Sequence, residues 1–145
     1  MNTRLFEKII SDNNNVSNTA KIIAKVLSDE FHLNVWTEKI GNDISTKRDI
    51  IIASSTLNKH VVYNDNAIGI RISLMDNESD KKVLNWEWIG IPKSQQRQGL
   101  ATKIVFAVLD AIDEDISNIY FDDESNGFWD TFYNIFGNEF SFEWN

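Results

Sequence analysis

At residue 34 the apolar pattern of the chain changes period, and that change narrows the fold more than any other feature. Before it, Ala20, Ile23, Ala24, Leu27 and Phe31 recur at three or four residues, with Ile22 and Val26 beside them. This is the spacing of one helix face. Ser17 stands where a cap belongs, so the pattern predicts a helix over residues 17–32, its stripe packed in a core. Leu5, Phe6, Ile9 and Ile10 predict a shorter helix over 3–11, separated from the first by the turn-forming Asp12–Asn15. After residue 34, the segments Asn34–Ile40, Asp49–Ser54, His60–Tyr63, Ala67–Met75 and Lys82–Ile91 are rich in β-branched and aromatic residues. Asn42-Asp43, Asn64-Asp65-Asn66 and Asp76–Asp80 supply turns between them. An antiparallel meander is expected.

The remainder alternates. A long apolar helix from about 99 to 113 is followed by a strand at Asn118–Asp122, a helix at Gly127–Phe136 and a last strand at Glu139–Trp144. Helices beside a mainly antiparallel sheet that closes with a strand–helix–strand unit make an α+β or mixed α/β domain. No internal repeat and no Gly/Pro/Ser-rich linker divides the 145 residues, so one domain over 1–145 is expected.

Composition removes several classes of function. The chain has no cysteine, hence no disulfide, thiolate metal site or cysteine nucleophile. His32 and His60 are far apart and have no partner at metal spacing, so no metal is expected. No Gly-x-Ser-x-Gly element supports a hydrolase triad. Fourteen Lys+Arg against 22 Asp+Glu give a net charge of −8, and no basic stripe stands out, which argues against nucleic acid as a partner. An acidic surface does tolerate a cationic or amine-bearing substrate. No apolar run approaches the ~20 residues that span a bilayer, so no membrane is expected as a partner. MNTRLFEKII lacks the apolar stretch and cleavage site of a signal peptide, and a cytoplasmic protein is expected.

The segment WEWIGIPKSQQRQGLATKIVFAVLD, residues 86–110, carries the chemistry. A strand runs into Pro92, the only proline, then a polar loop, Gly99, the small Ala101 and an amphipathic helix. A glycine turn at a helix N-terminus leaves backbone N–H groups pointing outward, and the helix dipole adds roughly half a positive charge. Such a start suits a pyrophosphate, with Arg97 and Lys93 able to add charge at the rim. Taken alone it equally serves as a plain helix start.

Gln96-Arg97-Gln98-Gly99-Leu100-Ala101 resembles the Q/R-x-x-G-x-G/A signature of the GNAT family of N-acetyltransferases, which also lies between a strand and a long helix. Downstream, Asn126, Tyr133 and Gly137 have the spacing of that family's N-x6-Y-x3-G segment. The two matches cover roughly residues 83–144. Departures are Trp129 where the family has a small residue, Asn138 where it has an aromatic, and a loop one residue longer. The amino-terminal half is similar only in outline.

The resemblance implies a GNAT-like sheet and direct transfer of an acetyl group from acetyl-CoA to an amine of a small molecule or protein. It implies cofactor contacts from Ile89, Ile91, Gln96, Arg97, Gln98, Gly99, Leu100, Ala101, Thr102, Asn126 and Tyr133. The strand ending near Ile91 would part from the strand ending near Asp122 to admit pantetheine. A backbone N–H near Trp88–Gly90 would then face the thioester carbonyl. Tyr133 is the candidate acid, because a tyrosine of ordinary pKa, ~10, is protonated at neutral pH. It is equally placed to pack among Phe128, Phe132 and Phe136. Asn126 either binds the pantetheine amide or caps the helix beginning at Gly127. Glu87, alternating with Trp86 and Trp88, is the candidate base or else a solvated strand residue. Asp122, Asp123 and Glu124 hold a cationic acceptor, act as base or form a solvated turn. The last strand, with Phe140, Phe142 and Trp144, is either half-buried or an edge that pairs two copies into a homodimer. The alternative function is a non-catalytic module of the same fold that binds acyl-CoA or a protein partner.

Overall fold

A computed structural model of the chain describes residues 16–41, 47–57, 66–76, 81–112, 116–121, 134 and 141–144. The first element, α1 (Asn18–Phe31), begins where Ser17 Oγ accepts the Ala20 N–H at 3.2 Å. It ends at His32, whose left-handed backbone (φ 55°) lets its N–H turn back onto the Leu27 and Ser28 carbonyls. Thr19, Ala20, Ile23 and Leu27 are its buried stripe. Asp49 ties this helix to the sheet. Its Oδ2 accepts the Ser17 N–H at 2.9 Å, and its Oδ1 lies 3.0 Å from Lys39 Nζ.

Among the described residues six strands follow in one sheet, in sequential spatial order. They are β1 (Asn34–Ile40), β2 (Arg48–Ser54), β3 (Gly69–Asp76), β4 (Lys82–Gly90), β5 (Ile116–Phe121) and β6 (Ser141–Trp144). The first four form the expected antiparallel meander. β4 and β5 are parallel, as are β5 and β6. A parallel neighbour requires a crossover, and α2 (Leu100–Ile112) supplies the one between β4 and β5. The domain is thus a mixed α/β fold with a sheet antiparallel in its first half and parallel in its second.

Both helices pack on the same face. Ile23 and Leu27 of α1 and Ile104, Val105, Val108, Leu109 and Ile112 of α2 join Ile51, Ile70, Ile72, Leu74, Leu84, Trp86, Ile119 and Phe121 in one core. The opposite face carries a smaller cluster of Ile40, Ile50 and Ile52 with Trp36 packed against it. Alternation along β2 and β3 sorts these two sets, as the two-residue period of a strand requires. Among the described residues no helix is long and apolar enough to cross a membrane.

The expected helix over 3–11, the strand at 60–63 and the turn residues 42–43, 64–65 and 77–80 lie outside the described residues. So does the helix over 127–136, except Asn134, which is helical. The polar loop expected after Pro92 differs from its reading: Lys93–Gln98 winds into a 3₁₀ helix. With Pro92 fixing φ at −55° ahead of it, the turn closes through Gln95 N–H to the Pro92 carbonyl at 2.8 Å.

Candidate functional site

β4 is an irregular strand. Arg71 of β3 stands opposite Trp88, but Ile72 stands opposite Trp86, so Glu87 is an extra residue with no partner position of its own. This is a β-bulge, and it corrects the simple alternation read from the sequence. Trp86 turns into the core at 2 % exposure. Glu87 and Trp88 both reach the opposite face, where the Arg71 side chain lies. Arg71 Nε donates to Glu87 Oε1 at 3.3 Å, the arginine side chain 3 % exposed and the glutamate 30 %. Trp88 is 37 % exposed. Its indole folds over Gly90, where an added Cβ would lie 2.8 Å from Nε1. An unbroken strand would have placed the carboxylate and the indole on opposite faces. Arg71 itself was not singled out in the sequence. Its one signal there is a charge at an alternating position inside the otherwise apolar strand Ala67–Met75.

Beyond the bulge β4 runs past the described part of its parallel neighbour. Pairing with β5 covers Lys82 to Trp86 and stops at Trp86 opposite Phe121. Trp88–Gly90 continue in register with β3 alone among the described strands. This end of β4 lies where the sheet changes from antiparallel to parallel, a place where ligands commonly bind in α/β sheets.

The same end of β4 leads to the start of α2. Gly99 adopts φ 70°, the left-handed region in which a side chain is strained, and a Cβ there would meet nothing within 4 Å. Its carbonyl accepts the Lys103 N–H at 3.0 Å. The N–H groups of Leu100, Ala101 and Thr102 thus precede the first helical bond, behind a residue with no side chain to cap them. Neither the 3₁₀ turn nor α2 has an acidic residue in its first turn. Lys93 and Thr102 are exposed and Ala101 is half-buried. Among the described residues no donor reaches the buried Gln95 Oε1.

Of the sequence-derived cofactor residues, Ile89, Ile91 and Leu100 pack against the core, so their main chain is what they offer a ligand. Gln96, Arg97 and Gln98 lie in the 3₁₀ turn directly before Gly99. Glu87, Ile89, Ile91, Gly99, Leu100, Ala101 and Thr102 thus share the end of the sheet at which β4 passes into α2. Asn126 and Tyr133 lie outside the described residues, as do Asp122, Asp123, Glu124 and Trp129. Among the described residues no group of three or more His, Cys, Asp or Glu forms a metal cluster.

Hollows among the described residues lie away from that loop. A cleft of about 630 Å³ between α1 and β1 is open and mainly polar, lined by Ala24, Ser28, Val35, Thr37 and Leu57 among others. It shares no residue with β4 or α2. A second hollow of about 340 Å³, mainly apolar, lies between Ser73, Met75 and Asp76 of β3, Val83 and Asn85 of β4 and Tyr120 of β5. Comparison with protein-family models, curated proteins and solved structures gives no match.

Proposed function

We propose that the chain is an N-acetyltransferase that binds acetyl-CoA at the end of β4 and transfers its acetyl group to an amine. One observation carries this reading. Among the described residues the pairing of β4 with β5 ends at Trp86, four residues before the end of β4, and the chain then runs into a carboxylate-free helix start behind a left-handed glycine. The main chain of Glu87–Gly90, beyond the described β4–β5 pairing, would flank an extended, amide-bearing arm. A helix start that offers N–H groups with no capping side chain suits a pyrophosphate. The donor set is made of neutral N–H groups and open space above Gly99, which fits that anion. The Q-R-Q-G-L-A resemblance points to the same turn.

Acetyl-CoA supplies the activated thioester. The chain's part is to orient the acceptor, take its proton and hold the developing oxyanion. The amine nitrogen forms the new C–N bond as the C–S bond breaks. Glu87 takes the proton of the incoming ammonium and passes it to water. Tyr133 protonates the departing thiolate and recovers a proton from the nitrogen as the amide forms, so the products are the N-acetyl amine, free thiol and one proton. Acid and base assistance of this kind contributes roughly 10²–10⁴-fold each.

Calorimetric titration with acetyl-CoA, on the wild type and on Gly99→Asp, tests the reading. Micromolar binding, weakened at least about tenfold by a carboxylate at the proposed anion site, is expected. Aspartate tolerates the left-handed region better than most residues, and circular dichroism checks that the variant is folded. A wild type that does not bind acetyl-CoA overturns the proposal.

A further inference from the structure

The bulge does something a regular strand cannot. It sets an exposed carboxylate and an exposed aromatic ring next to each other on one face of the sheet. We infer that Glu87 and Trp88 form the head of an acceptor subsite that takes an aliphatic ammonium. Its hydrocarbon chain would run along the hollow between Met75, Val83, Asn85 and Tyr120. This deepens the proposed transferase reading and rests on it for the chemical step.

Three observations define the ligand class. The first is charge. Arg71 and Glu87 form an ion pair, yet it is not symmetrical toward solvent: the guanidinium is sealed at 3 % exposure while the carboxylate keeps 30 %. A ligand on this face therefore meets the negative end of the pair. The ion pair is made through Nε and Oε1, and an ammonium at this face approaches Oε2. The second is the ring. Trp88 is 37 % exposed and held by its fold over Gly90, and a tryptophan face attracts a cation by roughly 2- to 5-fold in affinity at exposed sites and more where water is excluded. A neutral hydroxyl gains neither term.

The third is the hollow itself. Asn85 precedes Glu87 on the same face of β4 and also lines the hollow, so the subsite runs on from the carboxylate without crossing the strand. Its lining is mainly apolar, with Met75 and Val83 on the two strands and Tyr120 on β5, and it is sized for a short alkyl chain. An acidic or strongly polar acceptor finds no cationic side chain among these lining residues. During transfer the ammonium gives one proton to Glu87 as its nitrogen attacks the acetyl carbon, by the same balance as above.

The test uses n-hexylammonium, with n-hexanol as its neutral isostere, titrated into the full chain without acetyl-CoA. Binding is followed through the indole N–H signals, with the Trp88 signal assigned by its loss in Trp88→Leu. Saturable binding of hexylammonium at least tenfold tighter than hexanol is expected. Glu87→Gln, which keeps an oxygen for Arg71, should erase that difference. Trp88→Leu should weaken hexylammonium about fivefold, whereas Trp88→Phe should restore most of it. Equal binding of the two probes, or an unchanged preference in Glu87→Gln, overturns the inference. So does a binding response confined to the α1–β1 cleft. A parallel titration with acetyl-CoA separates the two proposals, because failure to bind acetyl-CoA removes the transfer reading while an intact hexylammonium preference leaves the ammonium site standing.

Discussion

Arg71 reaches from β3 across to the one residue of β4 that has no position of its own in the β3–β4 register, donating from Nε to Glu87 Oε1 at 3.3 Å. The bond fixes the bulge from the side that is buried. Its two ends are unequal, and so are the expected costs of removing them.

Arg71→Ala should destabilise the protein by about 2–4 kcal/mol, since it empties a buried site and removes the anchor of the bulge carboxylate. Glu87→Gln should cost under about 1 kcal/mol, because the amide oxygen still accepts the Arg71 bond. Urea unfolding of the two variants checks the asymmetry. Equal losses would mean the bulge is not pinned from Arg71.

The two glycines near the site should fail for different reasons. Gly99→Ala meets open space and pays only backbone strain at φ 70°, about 1–2 kcal/mol. Gly90→Ala meets the Trp88 indole at 2.8 Å and must push the ring away, at about 1–3 kcal/mol. Tryptophan fluorescence separates them: Gly90→Ala should shift the emission of Trp88, and Gly99→Ala should leave it unchanged.

Asp49 joins the first turn of α1 to β2 and Lys39. Asp49→Ala should cost about 2–4 kcal/mol, because the carboxylate is 4 % exposed and both its partners lose it. Ser17→Ala, which removes only the cap, should cost about 1 kcal/mol. His32→Gly should instead stabilise by about 1 kcal/mol, since His32 holds a left-handed backbone at φ 55°. Thermal unfolding of the three variants should show two losses of different size and one gain.

Under the proposed chemistry, Tyr133→Phe should lower kcat by about 10²-fold or more with KM for acetyl-CoA little changed. Glu87→Gln should lower kcat similarly and raise KM for the amine, because the carboxylate both holds the ammonium and takes its proton. A Tyr133→Phe variant with the wild-type rate would remove the tyrosine from the acid role.

The helix over 17–32 and the strands from Asn34 to Gly90 were legible because their periods are clean: Ala20, Ile23 and Leu27 repeat on one helix face, and the β2 isoleucines alternate between two cores while Ile70 and Ile72 of β3 share one. The bulge was not. WEWIG reads as unbroken alternation, and only the pairing partner on β3 reveals that one residue is extra. Arg71 was missed for the same reason, since its importance lies in a cross-strand contact 16 residues away. The 3₁₀ turn over Lys93–Gln98 has no apolar periodicity to announce it, and Pro92 marks only where it starts. The start of α2 was legible because Gly99 and Ala101 interrupt an otherwise bulky segment.

The bulge has a consequence for length variation in this chain. Removing residue 87 altogether would bring Arg71 opposite Trp88 and Ile72 opposite Trp86 in an ordinary ladder, with every other side chain on the face it already occupies. Glu87 is thus an insertion that the sheet can lose without any shift of frame. What its deletion would take away is the carboxylate to which the buried Arg71 donates. The residue is redundant as architecture, and what it adds is a negative charge on that face, tied to Arg71.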